Sequence, residues 1–106
     1  MKNTCILLIA LIASIVSLPL NAEVIEAEII KFEFVPQYLV INVGDTVVWS
    51  NKEKRQYHSV WFEEAGDREP DYLFPGETYQ RTFNQVGTFN YRCGPHPKMM
   101  GTVHVQ

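Results

Sequence analysis

The residues best suited to chemistry lie close together near the end of the chain, in Tyr91-Arg92-Cys93-Gly94-Pro95-His96-Pro97-Lys98-Met99-Met100-Gly101. A thiol, an imidazole and a thioether fall within residues 93–99. Thiolate and thioether are soft donors, and imidazole suits several first-row metals. In the strand leading in, Phe89, Tyr91 and Cys93 share one face, and Thr88, Asn90 and Arg92 share the other. The aromatic face is the core face, so Cys93 is expected to point inward at a strand end. Gly94 and Pro95 turn the chain, and Pro97 stiffens the return. His96 and Met99 can then approach the same point.

A second histidine is placed to join them. Along His58-Ser59-Val60-Trp61-Phe62, His58 keeps phase with Val60 and Phe62 and is expected to point inward as well. Cys93, His58 and His96 with a weaker Met99 form the ligand set of electron-transfer copper sites. A lone Cys-x-x-His occurs often by chance. Met99 three residues on, proline on both sides of His96 and an inward His58 make the pattern specific. Plainer readings compete: Cys93 as a buried structural thiol, His58 as a satisfied core histidine, and Met100 in place of Met99 as the axial ligand.

These side chains need a rigid frame, and the chain reads as β throughout. Short apolar–polar alternations are broken by Gly, Pro, Asn and Asp. Strands are expected near residues 24–32, 38–43, 46–51, 58–62, 78–84, 87–93 and 101–106. Gly44-Asp45 and Gln85-Val86-Gly87 are tight links. Several short strands in one small domain point to an all-β sandwich or barrel. Trp49, in phase with Val47, is expected in the core. Trp61 and Ser59 take the outward phase, with Trp61 as partial cover over the sheet. His104, between Val103 and Val105, faces out and is not a ligand. Residues 52–57 and 63–76 read as solvated, charged loops. Lys98 and the Lys52, Lys54, Arg55 group are either steering charges or ordinary solvated ones.

The 106 residues leave room for one domain. Lys2 precedes an apolar run from Ile6 to Leu18 and then Pro19-Leu20-Asn21-Ala22, the pattern of a secretory signal. The run is shorter than the roughly 18 apolar residues of a spanning helix. Residues 1–22 are therefore read as a signal peptide and 23–106 as the mature domain. Without Lys2, eight basic residues face twelve acidic ones, a net charge of −4. That balance, with no long basic run, argues against a nucleic-acid partner. Cleavage also removes Cys5 and leaves Cys93 alone. A lone cysteine in an oxidising compartment is reactive, paired between molecules or bound to something.

With these residues in view, the sequence resembles the cupredoxins, most closely the amicyanin and plastocyanin type. The likeness runs through Phe34-Val35-Pro36, Leu39-Val40, Val43-Gly44-Asp45-Thr46-Val47-Val48-Trp49, the His58 segment, Gly76-Glu77-Thr78-Tyr79, Gly87-Thr88-Phe89 and the Cys93 loop. It implies a two-sheet Greek-key sandwich with one copper near one end, held by His58, Cys93, His96 and axial Met99. It implies a carrier of single electrons by Cu(I)/Cu(II) cycling, expected as a monomer, and the signal segment places it in the periplasm. The expected partners are a redox donor and acceptor (dehydrogenase, c-type cytochrome or oxidase) docking at the His96 face, with no membrane role after signal removal. Two positions depart from the family pattern. Ser59 stands where Asn is usual, so a hydroxyl must supply the link between the ligand loops. Arg81 replaces an aliphatic residue in phase with Tyr79 and Phe83, where a snorkelling side chain at a sheet edge is expected. The alternative function is copper handling, in which the ion itself is passed on. Enzymatic activity is not expected, because Cys93 with a histidine has no orienting third group, and four protein ligands leave no open position.

Overall fold

The computed structural model describes residues 21–106. The expected signal segment, apart from Asn21 and Ala22, lies outside the described residues, as does Cys5. Among the described residues seven strands form two sheets: β1 (Val24–Ile30), β2 (Glu33–Val35), β3 (Tyr38–Ile41), β4 (Thr46–Asn51), β5 (Thr78–Thr82), β6 (Gly87–Arg92) and β7 (Met100–Val105). One sheet runs β2-β1-β4-β5 and the other β3-β7-β6. Pairing is antiparallel except for β1 with β4 and β3 with β7. This is the expected all-β two-sheet sandwich. Among the described residues no helix is long and apolar enough to cross a membrane.

Period-two alternation creates the core. Ala27 and Ile29 of β1, Val47 and Trp49 of β4, Leu39 and Ile41 of β3, and Val103 and Val105 of β7 all turn inward. Full burial of side chains of this kind stabilises by about 1.5–3 kcal/mol each. Trp49 sits at the centre as expected, with its ring 5.3 Å from Tyr91 and 6.0 Å from Phe62. Its indole N–H donates to the Tyr91 hydroxyl at 3.1 Å. Burial pushes the Tyr91 pKa up to about 12, against the lowering effect of that hydrogen bond. Gly101 of β7 faces the same ring, and a Cβ there would overlap it.

Two expected strands are corrected. The reach 24–32 is broken by a two-residue turn at Lys31 and Phe32, both left-handed (φ 55° and 59°), which starts β2 antiparallel to β1. Two consecutive positive φ values match the right-handed twist of a hairpin. They are unusual for residues with a Cβ, at roughly 1–3 kcal/mol each. The stretch 58–62 is not a ladder strand. It makes only isolated bridges, His58 with Leu73 and Trp61 with Arg92. Its alternation fails because Ser59, expected outside, is fully buried between its neighbours. Of the remaining strands, β4 matches its expected limits and the others lie within two residues of theirs.

Arg81 lies on the edge strand β5, as expected for a snorkelling residue. Its guanidinium lies 4.5 Å over the Phe62 ring and pairs with Asp67. Trp61 is half-buried and carries the Arg92 guanidinium 4.5 Å over its ring, while Arg92 also meets Glu63 at 2.9 Å. His104 is bonded to the Thr88 hydroxyl at 2.9 Å, away from the other histidines.

Candidate metal centre

Cys93 follows the last residue of β6 and is fully buried. Its backbone N–H donates to the Met99 carbonyl at 3.0 Å, and the Met99 N–H donates to the His96 carbonyl at 2.9 Å. These bonds fold residues 93–99 into a closed loop and bring His96 back over the thiol. His58 is held from the other side by paired backbone bonds with Leu73 at 3.1 and 2.6 Å. The Nδ1 atoms of His58 and His96 each lie 3.5 Å from Cys93 Sγ. All three donor atoms fall within 4.8 Å of one another.

Each donor has its own support. His58 Nε2 lies 3.0 Å from Glu53 Oε2. Donation of Nε2–H to that carboxylate leaves the Nδ1 lone pair facing the thiol. The Phe32 N–H donates to the same carboxylate oxygen at 2.8 Å. Asn51, also buried, shapes this loop: its amide donates to the Gln56 and Leu73 carbonyls, and its oxygen accepts the Glu53 N–H. The Ser59 N–H donates to Cys93 Sγ at 3.3 Å, and Ser59 Oγ accepts the Gly94 N–H at 2.8 Å. The loops are thus linked through Ser59, but its backbone serves the sulfur and its hydroxyl acts as an acceptor. Gly94 leaves no room for a side chain here, since a Cβ would stand 2.9 Å from Ser59 Oγ and overlap the Glu69 carboxylate. Met99 is buried at 6% exposure, whereas Met100 is 57% exposed.

The donor set suits a first-row metal. Separations of 3.5 Å let one ion touch both imidazoles and the sulfur at the roughly 2.0–2.3 Å usual for such ligands. Two imidazoles and a thiol, with the buried Met99 bonded to Cys93 through its backbone, match the preferences of copper. Residues 22–106 match the family described as copper binding proteins, plastocyanin/azurin family. The chain belongs to that family. This cupredoxin is 37% identical over 87 residues to amicyanin of Paracoccus denitrificans, covering 77% of this chain and 65% of that protein. It is 38% identical over 85 residues to plastocyanin of Scenedesmus fuscus, covering 69% and 86%. The crystal structure of amicyanin from Paracoccus versutus superposes with a TM-score of 0.71 at 30% identity, covering 85% of this chain and 86% of that one. The chain thus spans just under two thirds of the Paracoccus denitrificans protein. Its cofactor is copper, as the family and the clustered donors agree.

The electrostatics of the cupredoxin site separate its parts. Burial pushes the Cys93 thiol up, opposed by its contacts with Ser59 and His96. Burial and neighbouring His58 hold the His96 pKa down, a shift that favours the unprotonated ring. Burial raises Glu53, but bonds from Phe32, His58 and Lys31 outweigh it and leave the carboxylate lowered and charged. The His96 ring is half-buried among aromatics, 5.0 Å from Phe32 and 6.3 Å from Tyr57. Tyr57 in turn stacks on Tyr72 at 5.1 Å. Phe32, Glu53 and Asn51 were not singled out by sequence reasoning. Their only signal is the unusual acid within the basic run 52–55.

Proposed function

We propose that this cupredoxin is an exported carrier of single electrons whose copper is held by His58, Cys93 and His96, with Met99 as the weak axial ligand. Residues 1–22 serve as the signal, and 23–106 act as a monomer in the periplasm. The observation that carries the reading is the convergence of two imidazoles on one buried thiol, with one of the imidazoles only half-buried. Bound copper supplies a one-electron couple between Cu(I) and Cu(II). The protein keeps the donors fixed through that change. Glu53 orients His58, Ser59 donates its N–H to the sulfur, and the Cys93–Met99 bond closes the loop. Phe32 packs edge-on against both imidazoles and Tyr57 lies beside His96. His96 is the exit, where a dehydrogenase, c-type cytochrome or oxidase docks.

Handing on the ion itself is disfavoured by the same features. Cys93 and His58 are fully buried, and release would have to open the loop. The deciding experiment is voltammetry of the copper-loaded protein with a chelator present. A reversible one-electron wave that persists for hours supports the carrier. Rapid loss of copper to the chelator, with no stable wave, would favour metal handling.

A further inference from the structure

The run Lys52-Glu53-Lys54-Arg55 reads in sequence as a mixed, solvated turn. The fold changes its balance. The Glu53 carboxylate is turned inward onto the Phe32 N–H and His58 Nε2, while Lys52, Lys54 and Arg55 stay exposed. The left-handed turn of β1 into β2 brings Lys31 alongside, and Ile30, Lys31, Lys52, Lys54 and Arg55 line one shallow hollow with the inward Glu53 beneath. Among the described residues none of these four cations forms an ion pair, whereas Arg81 and Arg92 both do.

We infer that this basic cluster, continuous with Phe32 beside His96, is the docking surface for an acidic redox protein. The inference rests on the electron-carrier reading above. Position argues for it. Phe32 adjoins Lys31, and its ring lies 5.4 and 5.0 Å from the two imidazoles. Tyr57, two residues after Arg55, flanks His96 on another side. A partner held by the cations therefore meets an apolar contact directly over the electron exit. Charge argues for it too. Residues 23–106 carry −4 overall, so four exposed cations at one end, offset only by the inward Glu53 beneath them, give the domain a polarity that orients an acidic partner during approach. The acidic group within this face is Glu53 itself, turned inward onto the Phe32 N–H and His58; Glu33 follows just beyond the turn, and Glu69 lies over Gly94. A lipid surface fits less well, because it would cover His96 with a medium that exchanges no electrons.

The test uses the copper(I) protein and two small oxidants, hexacyanoferrate(III) and tris(1,10-phenanthroline)cobalt(III), followed by stopped flow. One electron leaves the protein and reduces iron(III) or cobalt(III) to the divalent complex. A domain of net charge −4 acting as a whole would repel the anionic oxidant, and its rate would rise with salt. Docking at the cluster reverses the sign: the hexacyanoferrate rate falls roughly three- to tenfold between about 10 mM and about 0.5 M ionic strength. The triple variant Lys52→Gln, Lys54→Gln, Arg55→Gln flattens or inverts that slope without slowing the cobalt complex. Redox-inert hexacyanocobaltate(III) shifts the NMR amide signals of Lys31, Lys52, Lys54 and Arg55 before all others. A rate that rises with salt, or a triple variant indistinguishable from the parent, overturns the docking surface while oxidation by the cobalt complex leaves the carrier reading intact. Failure to exchange electrons with either oxidant overturns both. Sedimentation with anionic phospholipid vesicles at physiological salt, lost in the triple variant, would assign the cluster to a membrane instead.

Discussion

His58 and His96 stand at the same 3.5 Å from Cys93 Sγ and yet are built in opposite ways. His58 has no exposed surface, and its far nitrogen is clamped by a carboxylate that is itself fixed by the Phe32 amide. His96 rests on a loop between prolines, half-buried among aromatic rings, and among the described residues no carboxylate pairs with it. One imidazole is an anchor and the other a contact. An electron carrier needs this asymmetry. A rigid side keeps the donors in place through a change of oxidation state, and an accessible side lets a partner approach within a ring's width of the metal.

The sharpest way to break the comparison is to remove each ring in turn. Both His96→Gly and His58→Gly should lose the strong visible band of the copper(II) protein completely. Millimolar imidazole should restore it in His96→Gly, where the gap opens to solvent, and should fail in His58→Gly, where the gap is sealed. Equal rescue of both, read from the visible spectrum, would end the distinction between anchor and contact.

Loss of the clamp comes next. Glu53→Ala should weaken copper binding by about 10–100-fold, the usual effect of removing a group that orients a ligating histidine. Competition with a chelator measures it, and Glu53→Gln should recover part of the loss because its carbonyl still accepts from His58 and Phe32. Ser59→Ala should be milder. It keeps the N–H bond to sulfur but leaves the Gly94 N–H without its acceptor, for about 1–3 kcal/mol of stability in a denaturant titration. The smallest effect is expected at the methionines. Met99→Leu should retain copper and shift the potential, while Met100→Leu, at an exposed position, should leave the potential where it was. The reverse pattern would move the axial role to Met100.

The contact side of the site was legible in the sequence because its logic is local. Cys93, His96 and Met99 share one short loop, and Gly94 with the two prolines dictates its turn. His58 was legible from its phase with Val60 and Phe62, which held although the segment is not a strand. The same phase misplaced Ser59, because alternation separates faces only where one face meets solvent, and this segment is covered on both sides. The anchor was not legible. Glu53 sits among Lys52, Lys54 and Arg55, and such runs are ordinarily solvated. Its inward turn depends on Asn51 shaping the loop and on the Phe32 amide, 21 residues away in sequence. That amide is available only because Lys31 and Phe32 adopt left-handed backbone, where an uninterrupted strand was expected from the apolar–polar alternation. Apart from β2, which was not expected, and residues 58–62, which form no strand, the sheet frame follows short-range alternation and turn residues to within two residues of the expected boundaries.

The central claim is that two imidazoles and the Cys93 sulfur close on a single copper ion. Optical and EPR spectra of residues 23–106 loaded with copper(II) test it most directly. The expected result is an intense visible thiolate-to-copper band with narrow copper hyperfine splitting, both bleached by a mild reductant and both absent in Cys93→Ser. A colourless protein, or the spectrum of ordinary tetragonal copper unchanged by Cys93→Ser, would contradict it.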